Sequence, residues 1–222
     1  MALPSDLFAT ISPALEPVDL PRGKVLFEPG EKITHVYFPN QAMVSLVSLM
    51  EDESISEIGI IGREGMVGLP AIWGGESSDY QAIVQVEGGG YRLSASLLRQ
   101  EFCNSVVLRD LLLLYTQALF THVSQTAVCN AQHHVEARLA RWLLIVQDSV
   151  QSSRLSLTQE FMAEMLGTRR PSVTVAARAL QTEGLIRYSR GKIVVLSRDG
   201  LEAKACECYR RVRNEFSRLL NF

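Results

Sequence analysis

Apolar residues change their spacing several times along this chain. From Val18 to Leu93 they come in short alternating or branched runs: VLFE, HVYF, MVSLVSL, ISEIGII, YQAIVQV and YRL. Glycines interrupt the runs at Gly23, Gly30, Gly59, Gly62, Gly65 and Gly68. Many short strands separated by glycine turns predict a sandwich, barrel or roll. A short helix is expected ahead of it over residues 4–16, with Leu7, Phe8, Ile11 and Leu15 apolar. Another is expected behind it, where Ser94 caps SASLLRQEF.

The texture turns helical from Asn104 to Ala131, a stretch without Gly or Pro. Leu108, Leu112, Tyr115, Leu119, His122, Thr126 and Cys129 fall at alternating spacings of four and three, the signature of a heptad seam. Its first half (LLLLY) is apolar nearly all round and needs cover on more than one side. A helix packed on its own roll and on a partner's equivalent helix meets that need; a single core helix in a monomer is the alternative. The seam grows polar toward its end, where a dimer contact would weaken. His133 and His134 mark a hinge. Val135 to Ser149 is amphipathic, with Leu139, Trp142, Leu143 and Val146 toward a second, smaller core. Residues 151–154 make a polar loop. Asp199 to Leu220 is expected as one final helix, with Lys204, Arg210, Arg211, Arg213 and Arg218 on a basic face that reads as solvated, contact with a DNA backbone being the alternative.

Between these lies Leu157–Val195, which predicts a helix, a tight turn, a second helix and a short hairpin. Thr158 is a good N-cap, because its hydroxyl can accept from a free N–H of the first turn. Phe161, Met162, Met165 and Leu166 form one stripe, and Gly167 stops the helix in a conformation that glycine tolerates. Proline has no N–H to donate, so Pro171 fits only the first turn of the next helix. Val173, Ala176, Ala177 and Leu180 are its buried face, and Gly184 ends it. Two short helices around such a turn make a helix-turn-helix, which sets its second helix in the DNA major groove. Here that helix begins with Thr168, Arg169, Arg170, Ser172 and Thr174. Arginine forks onto guanine, and hydroxyls bond phosphates or bases. The hairpin holds Arg187, Arg190 and Lys192 and reads as a basic wing on phosphates. An ordinary helical hairpin with a solvated basic face is the competing reading.

Charge sharpens this picture. The net charge of −2 hides an acidic front, with 7 Lys+Arg against 15 Asp+Glu over residues 1–131, and a basic back, with 15 against 9 over residues 132–222. A basic half that contains the helix-turn-helix fits a polyanionic partner. No basic-then-apolar start marks a signal peptide, and no run of ~18 uninterrupted apolar residues marks a membrane helix. Four scattered cysteines fit reduced thiols, so a cytoplasmic location is expected.

Thr158, Met162-Ala163, Leu166-Gly167, Arg170, Ser172-Val173, Leu180, Gly184-Leu185-Ile186, Gly191 and Ile193 together resemble the winged helix-turn-helix of the cyclic-AMP receptor protein / fumarate-nitrate regulator (Crp/Fnr) family of bacterial transcription factors. The order of the remaining parts also fits, so the resemblance covers nearly the whole chain. It implies an α+β chain: a cyclic-nucleotide-binding-like β-roll sensor over 1–104, a dimerisation helix over 105–131 carrying Leu108, Leu112, Tyr115, Leu119 and His122, and a DNA reader over 132–222. It also implies a homodimer on double-stranded DNA that meets RNA polymerase, with an effector not named by the sequence. Arg170 matches the family's first reading arginine. Pro171 stands where the family has glutamate and Val175 where it has a second arginine, so the usual half-site is not expected.

The family's cyclic-nucleotide site needs a glutamate for the ribose and an arginine for the phosphate. In this chain Leu69 takes the glutamate position within Gly62–Leu69, and no arginine lies near Tyr80-Gln81. A buried phosphate without a cation is costly, so binding of cyclic AMP in the standard way is not expected. Arg63, Gly65, Gly68, Leu69, Tyr80, Gln81, Val123 and Ser124 remain the candidate effector pocket, the last pair retaining half of the family's adenine-contacting hydroxyls. No cysteine precedes Cys103, which excludes an N-terminal iron–sulfur cluster. Cys206 and Cys208, two apart on the expected final helix, would point their thiols different ways, and adjacent His133 and His134 would not converge. No metal and no cofactor are therefore expected. Carboxylates at Glu51, Asp52 and Glu53 read as a solvated turn. No nucleophile motif, P-loop, HExxH or dinucleotide fingerprint is present, so the chain is not expected to be an enzyme. The other function considered is a small-ligand or cyclic-nucleotide sensor whose output is a protein contact.

Overall fold

The alternating stretches close into two antiparallel sheets in the computed structural model, which describes residues 5–51 and 55–221. Asp52 and Glu53 of the expected acidic turn lie outside the described residues. Strands β1 (Glu16–Leu20), β2 (Val25–Phe27), β3 (His35–Pro39), β4 (Met43–Leu49), β5 (Ile55–Ile61), β6 (Gln81–Val86) and β7 (Gly88–Ser94) build the roll. One sheet runs β1-β7-β3 and the other β2-β6-β4-β5. Pro17 is tolerated in β1 because that strand is an edge. Inward residues such as Leu20, Phe27, Val36, Val44 and Val84 make one core. Helices α1 (Ser5–Ile11), α2 (Pro70–Trp73) and α3 (Ala95–Asn104) flank it. Leu7 and Ile11 of α1 are buried, whereas Phe8, expected on the same stripe, is exposed.

Helix α4 (Val106–Gln132) starts at Ser105, whose hydroxyl accepts from the Leu108 N–H at 3.3 Å. Leu108, Leu112, Tyr115, Leu119 and His122, expected as the dimer seam, are instead buried inside their own chain. The first four belong to the roll's core. The heptad spacing does mark a packed face, but the roll itself supplies the packing. A second stripe remains outward: Val106, Leu113 and Phe120 are 57%, 51% and 72% exposed. They recur every seven residues, with exposed Asp110, Gln117 and Ala127 on the same face. By length and composition alone α4 is apolar enough to cross a membrane. Most of its apolar residues lie in the roll's core or on this outward stripe, and Cys129 is buried in a separate small cluster at its end.

The chain turns at His133-His134, as expected for the hinge, into α5 (Val135–Val150). Then follow β8 (Arg154–Ser156), α6 (Gln159–Met165), α7 (Arg170–Thr182), β9 (Ile186–Ser189), β10 (Lys192–Val195), α8 (Arg198–Lys204) and α9 (Cys208–Leu220). A second core joins Leu139, Trp142 and Leu143 of α5 to Met162, Val173 and Leu180. Met43, Val47 and Ile60 of the roll belong to it too. The expected single final helix is broken: Ala205 takes an extended conformation (φ −65°, ψ 147°) and separates α8 from α9. Val212, Phe216, Leu219 and Leu220 of α9 then join the core against α4, leaving its arginines outward.

Candidate nucleic-acid interface

Thr158 caps α6, accepting from the Phe161 N–H at 3.2 Å. Gly167 (φ +53°) ends the turn after it, and the Thr168 N–H donates to the Ala163 carbonyl at 2.9 Å. Helix α7 then buries Val173, Ala176, Ala177 and Leu180, as their spacing requires. That fixes which residues point out: Arg169, Arg170, Pro171, Val175 and Arg178. Arg178 was not singled out from the sequence, although it lies two turns beyond Pro171 on the same face. Thr168 and Ser172 are half-buried beside this surface. Thr174 is differently employed, since its hydroxyl lies 2.7 Å from Gln159 Oε1 and 3.0 Å from the Arg170 carbonyl. It ties the two helices together. Arg170 Nη1 sits 3.5 Å from Glu160 Oε2, with both side chains mostly exposed, so the pair is weak and easily exchanged. The first turn of α7 adds little of its own, because Pro171 has no N–H and the Ser172 N–H donates to the Arg169 carbonyl at 2.9 Å, so it is the arginine side chains that suit this surface to anions.

The wing is a three-stranded sheet, β8-β10-β9, where one hairpin was expected. Ile193 pairs with Tyr188 on one side and Leu155 on the other, which fixes the register. Arg190 (φ +48°) and Gly191 (φ +76°) form the hairpin turn. Left-handed conformation at both positions is the pattern of a type I′ turn, which ordinarily favours Asn-Gly. A Cβ at Gly191 would lie 3.4 Å from Thr158 Cγ2, so the wing tip stands beside the start of α6. Arg187, Arg190 and Lys192 are all exposed.

In the roll, the loop Gly62–Leu69 spends its polar groups internally. The Tyr115 hydroxyl accepts from the Met66 N–H at 2.9 Å and donates to the Met66 carbonyl at 3.0 Å. A Cβ on Gly65 would collide with that hydroxyl, and Leu69 is buried. Tyr80 stacks obliquely on Phe27 at 5.9 Å, and burial pushes its phenol up to about 12. Gln81 donates to Glu28 Oε2 at 2.7 Å, and Val123 packs at Gly59; Gly68 packs on Val36, and Ser124 is half-buried on α4. None of these residues lines the cleft that Arg63 does. A cleft of about 430 Å³ lies instead between the Arg63-Glu64 turn, α5, α8 and α9, and it takes only Arg63 from the expected pocket. His122 also lines it, and burial pushes this imidazole down to about 3, so it is neutral. Asp148, Glu202 and Tyr209 hold Arg198 at the same cleft.

The break between α8 and α9 overturns one more expectation. Cys206 and Cys208 do not share a helix, so their thiols are free to converge, and they meet Cys129 and His133.

Residues 137–204 match the family model of the Crp-like helix-turn-helix domain, and residues 17–104 match that of the cyclic nucleotide-binding domain. Among solved structures, FixK2 from Bradyrhizobium japonicum superposes with a TM-score of 0.74 at 17% identity, over 86% of this chain and 98% of that one. A CRP-family transcriptional regulator from Thermus thermophilus does so with 0.68 at 20% identity, over 85% and 96%. The c-di-GMP responsive global regulator CLP of Xanthomonas campestris does so with 0.67 at 16% identity, over 87% and 100%. No curated protein sequence matches significantly.

Proposed function

The chain belongs to the Crp/Fnr family of transcription regulators, with a cyclic-nucleotide-binding-like domain and a helix-turn-helix DNA-binding domain, and from that premise we propose how it meets DNA, its partner copy and its effector. Regulators of this family bind DNA and function as dimers. In our reading two copies of this chain pair along the outward stripe of α4, through Val106, Leu113 and Phe120. Two α7 helices then meet half-sites about one DNA turn apart. Arg169 and Arg170 reach bases or the adjacent phosphates, with Ser172 and Thr168 beside them. Thr158, Arg190 and Lys192 hold the backbone at the wing, and Thr174 positions α7 through Gln159. Pro171 in the first turn and exposed Val175 one turn on place apolar groups between the arginines, which fits contact with a thymine methyl better than a polar base edge. RNA polymerase is the expected further partner.

The observation that carries this reading is the surface of α7: its buried face is complete, and the three outward arginines, Arg169, Arg170 and Arg178, have among the described residues only exposed Glu160 as an ion-pair partner. Selection of genomic fragments by the purified protein, followed by titration over a salt series, tests it. Sequence-selective binding that weakens steeply with salt is the expected result. Weak, sequence-indifferent binding would sink it.

For the sensor, we propose that cyclic AMP is not bound in the standard way. In the loop Gly62–Leu69 the Met66 N–H is already committed to Tyr115 and buried Leu69 offers no ribose ligand, while Tyr80-Gln81 brings no arginine for the phosphate. Calorimetry with cyclic AMP and cyclic GMP should give no heat of binding; a clear micromolar isotherm would refute this point.

A further inference from the structure

Three thiols and an imidazole meet at the junction between α4 and the C-terminal domain. Cys129 lies in the last turn of α4 and is fully buried. His133 follows four residues later, one turn along the same face. Its N–H donates to the Cys129 carbonyl at 3.1 Å, which closes the helix. From the other side come Cys206, in the break, and Cys208, at the start of α9. Cys129 Sγ is 3.4 Å from Cys206 Sγ, and Cys208 Sγ is 3.6 Å from His133 Nδ1. All four donor atoms lie within 4.8 Å of one another.

We propose that Cys129, His133, Cys206 and Cys208 form a closed, four-coordinate site for a single zinc-type divalent ion, clamping the hinge after α4 to the α8–α9 junction.

Spacing is the first argument. A tetrahedral ion roughly 2.3 Å from sulfur and roughly 2.0 Å from nitrogen holds its donors about 3.5–3.8 Å apart. The Cys208–His133 pair at 3.6 Å already has that separation, the Cys129–Cys206 pair at 3.4 Å is within a few tenths of an ångström of it, and no pair need draw in by more than about an ångström. A cluster of several irons needs its ligands spread further. A disulfide needs about 2.05 Å and would leave the histidine without a task. The imidazole is the second argument. Its Nδ1 faces the thiols while Nε2 lies 3.3 Å from Glu207 Oε2, the carboxylate–histidine arrangement that fixes the tautomer of a metal ligand. Charge is the third. Arg138 and Arg141 are buried, act electrostatically on the cysteine cluster, and each keeps an Nε without a hydrogen-bond partner. Among the described residues their hydrogen bonds go to the Leu166 carbonyl and the Thr126 hydroxyl, so neither guanidinium is paired with a carboxylate. A divalent ion held by three thiolates and a neutral imidazole gives a site with one net negative charge beside the guanidiniums. A soft, sulfur-rich set with one imidazole selects zinc over magnesium or calcium.

The test is independent of the DNA reading. The full chain, purified with a reductant and no chelator, should hold one zinc ion per molecule by elemental analysis. Cobalt(II) exchanged into it should show tetrahedral d–d absorption with sulfur-to-cobalt charge transfer. Cys208→Ser and His133→Ala should lose the ion, Glu207→Gln should bind it on the order of tenfold more weakly, and exposed Cys103→Ser should bind it fully. If the ligand variants do not fold, alkylation of the unaltered protein decides. Three cysteines should be protected until a chelator is added, and only Cys103 should react before. Failure to take up zinc or cobalt at micromolar concentration, a Cys129–Cys206 disulfide in reductively purified protein, or alkylation rates indifferent to chelator would each overturn the proposal.

Discussion

Arg170 and Lys192 look alike in charge but differ in what their surroundings allow. Arg170 begins a helix whose packing is fixed by Val173 and Leu180, so its fork has a defined direction. Lys192 is a flexible point charge on the wing. Arg170→Ala should therefore lose on the order of 1–3 kcal/mol of DNA binding and blur one position of the site, read by selection from a randomised duplex. An unchanged site profile would remove Arg170 from the base-reading set. Lys192→Ala should weaken all sequences alike and reduce the salt slope by about 0.9, the share of one phosphate contact. A sequence-selective loss there would contradict the wing assignment. Glu160, held against Arg170, is a modest competitor for the same fork. The arginine pair was legible in the sequence because Pro171 fixes the helix start. The engagement of Thr174 was not, since Gln159 comes within reach only when α6 and α7 cross.

At the level of the element, two features depart from the simplest design. The wing turn puts Arg190 in a left-handed conformation that costs an ordinary side chain energy and suits asparagine. Arg190→Asn should raise thermal stability by roughly 0.5 kcal/mol while weakening DNA binding, a trade expected where charge at a turn serves contact with phosphate. A variant with unchanged DNA affinity would show the turn arginine to be idle. Helix α4 carries two apolar faces, and the heptad spacing alone could not say which one the roll covers. Burial of Leu112 and Tyr115 answers that and leaves Phe120 72% exposed. Phe120→Asp should then leave the protomer folded and convert a dimer to monomers in sedimentation. Losing both rings costs on the order of 3–6 kcal/mol, or more than roughly 100-fold in Kd. Retention of the dimer would place the interface elsewhere.

Across the whole molecule, the roll and the DNA reader share a core, and its polar centre is Glu57. This carboxyl is buried between β4 and α5, 2.5 Å from Ser45 Oγ and 2.8 Å from Trp142 Nε1. Burial pushes it up to about 7; the two hydrogen bonds and Arg141 oppose that without cancelling it. The folded chain thus holds this proton more tightly than the unfolded one. Stability from neutral Glu57 is complete below about 4.5 and is lost as pH rises through about 7. The loss is about 3 kcal/mol above that range. Glu57→Gln keeps a neutral partner for Trp142 and should flatten the decline in thermal stability between about pH 5 and 8. The same decline in the variant would assign it to another group. Gln85 and Met165, and Arg22 over the Phe161 ring, extend the contact to α6, so whatever loosens it also frees the helix that supports α7.

Local chemistry wrote much of this protein directly into its sequence. The 3.6-residue stripes of α5, α6 and α7, the cap at Thr158, the stop at Gly167, the hinge at His133-His134 and the acidic-to-basic change along the chain all follow from neighbours in sequence. What faces a distant element did not. The same heptad on α4 could serve a partner or its own roll. Cys206 and Cys208 diverge on a continuous helix and converge only because Ala205 leaves it. Glu57 is an ordinary strand carboxylate until Trp142 and Ser45 close over it. Periodicity fixes which side of an element is apolar, but only tertiary packing decides what covers that side and which polar groups are enclosed with it.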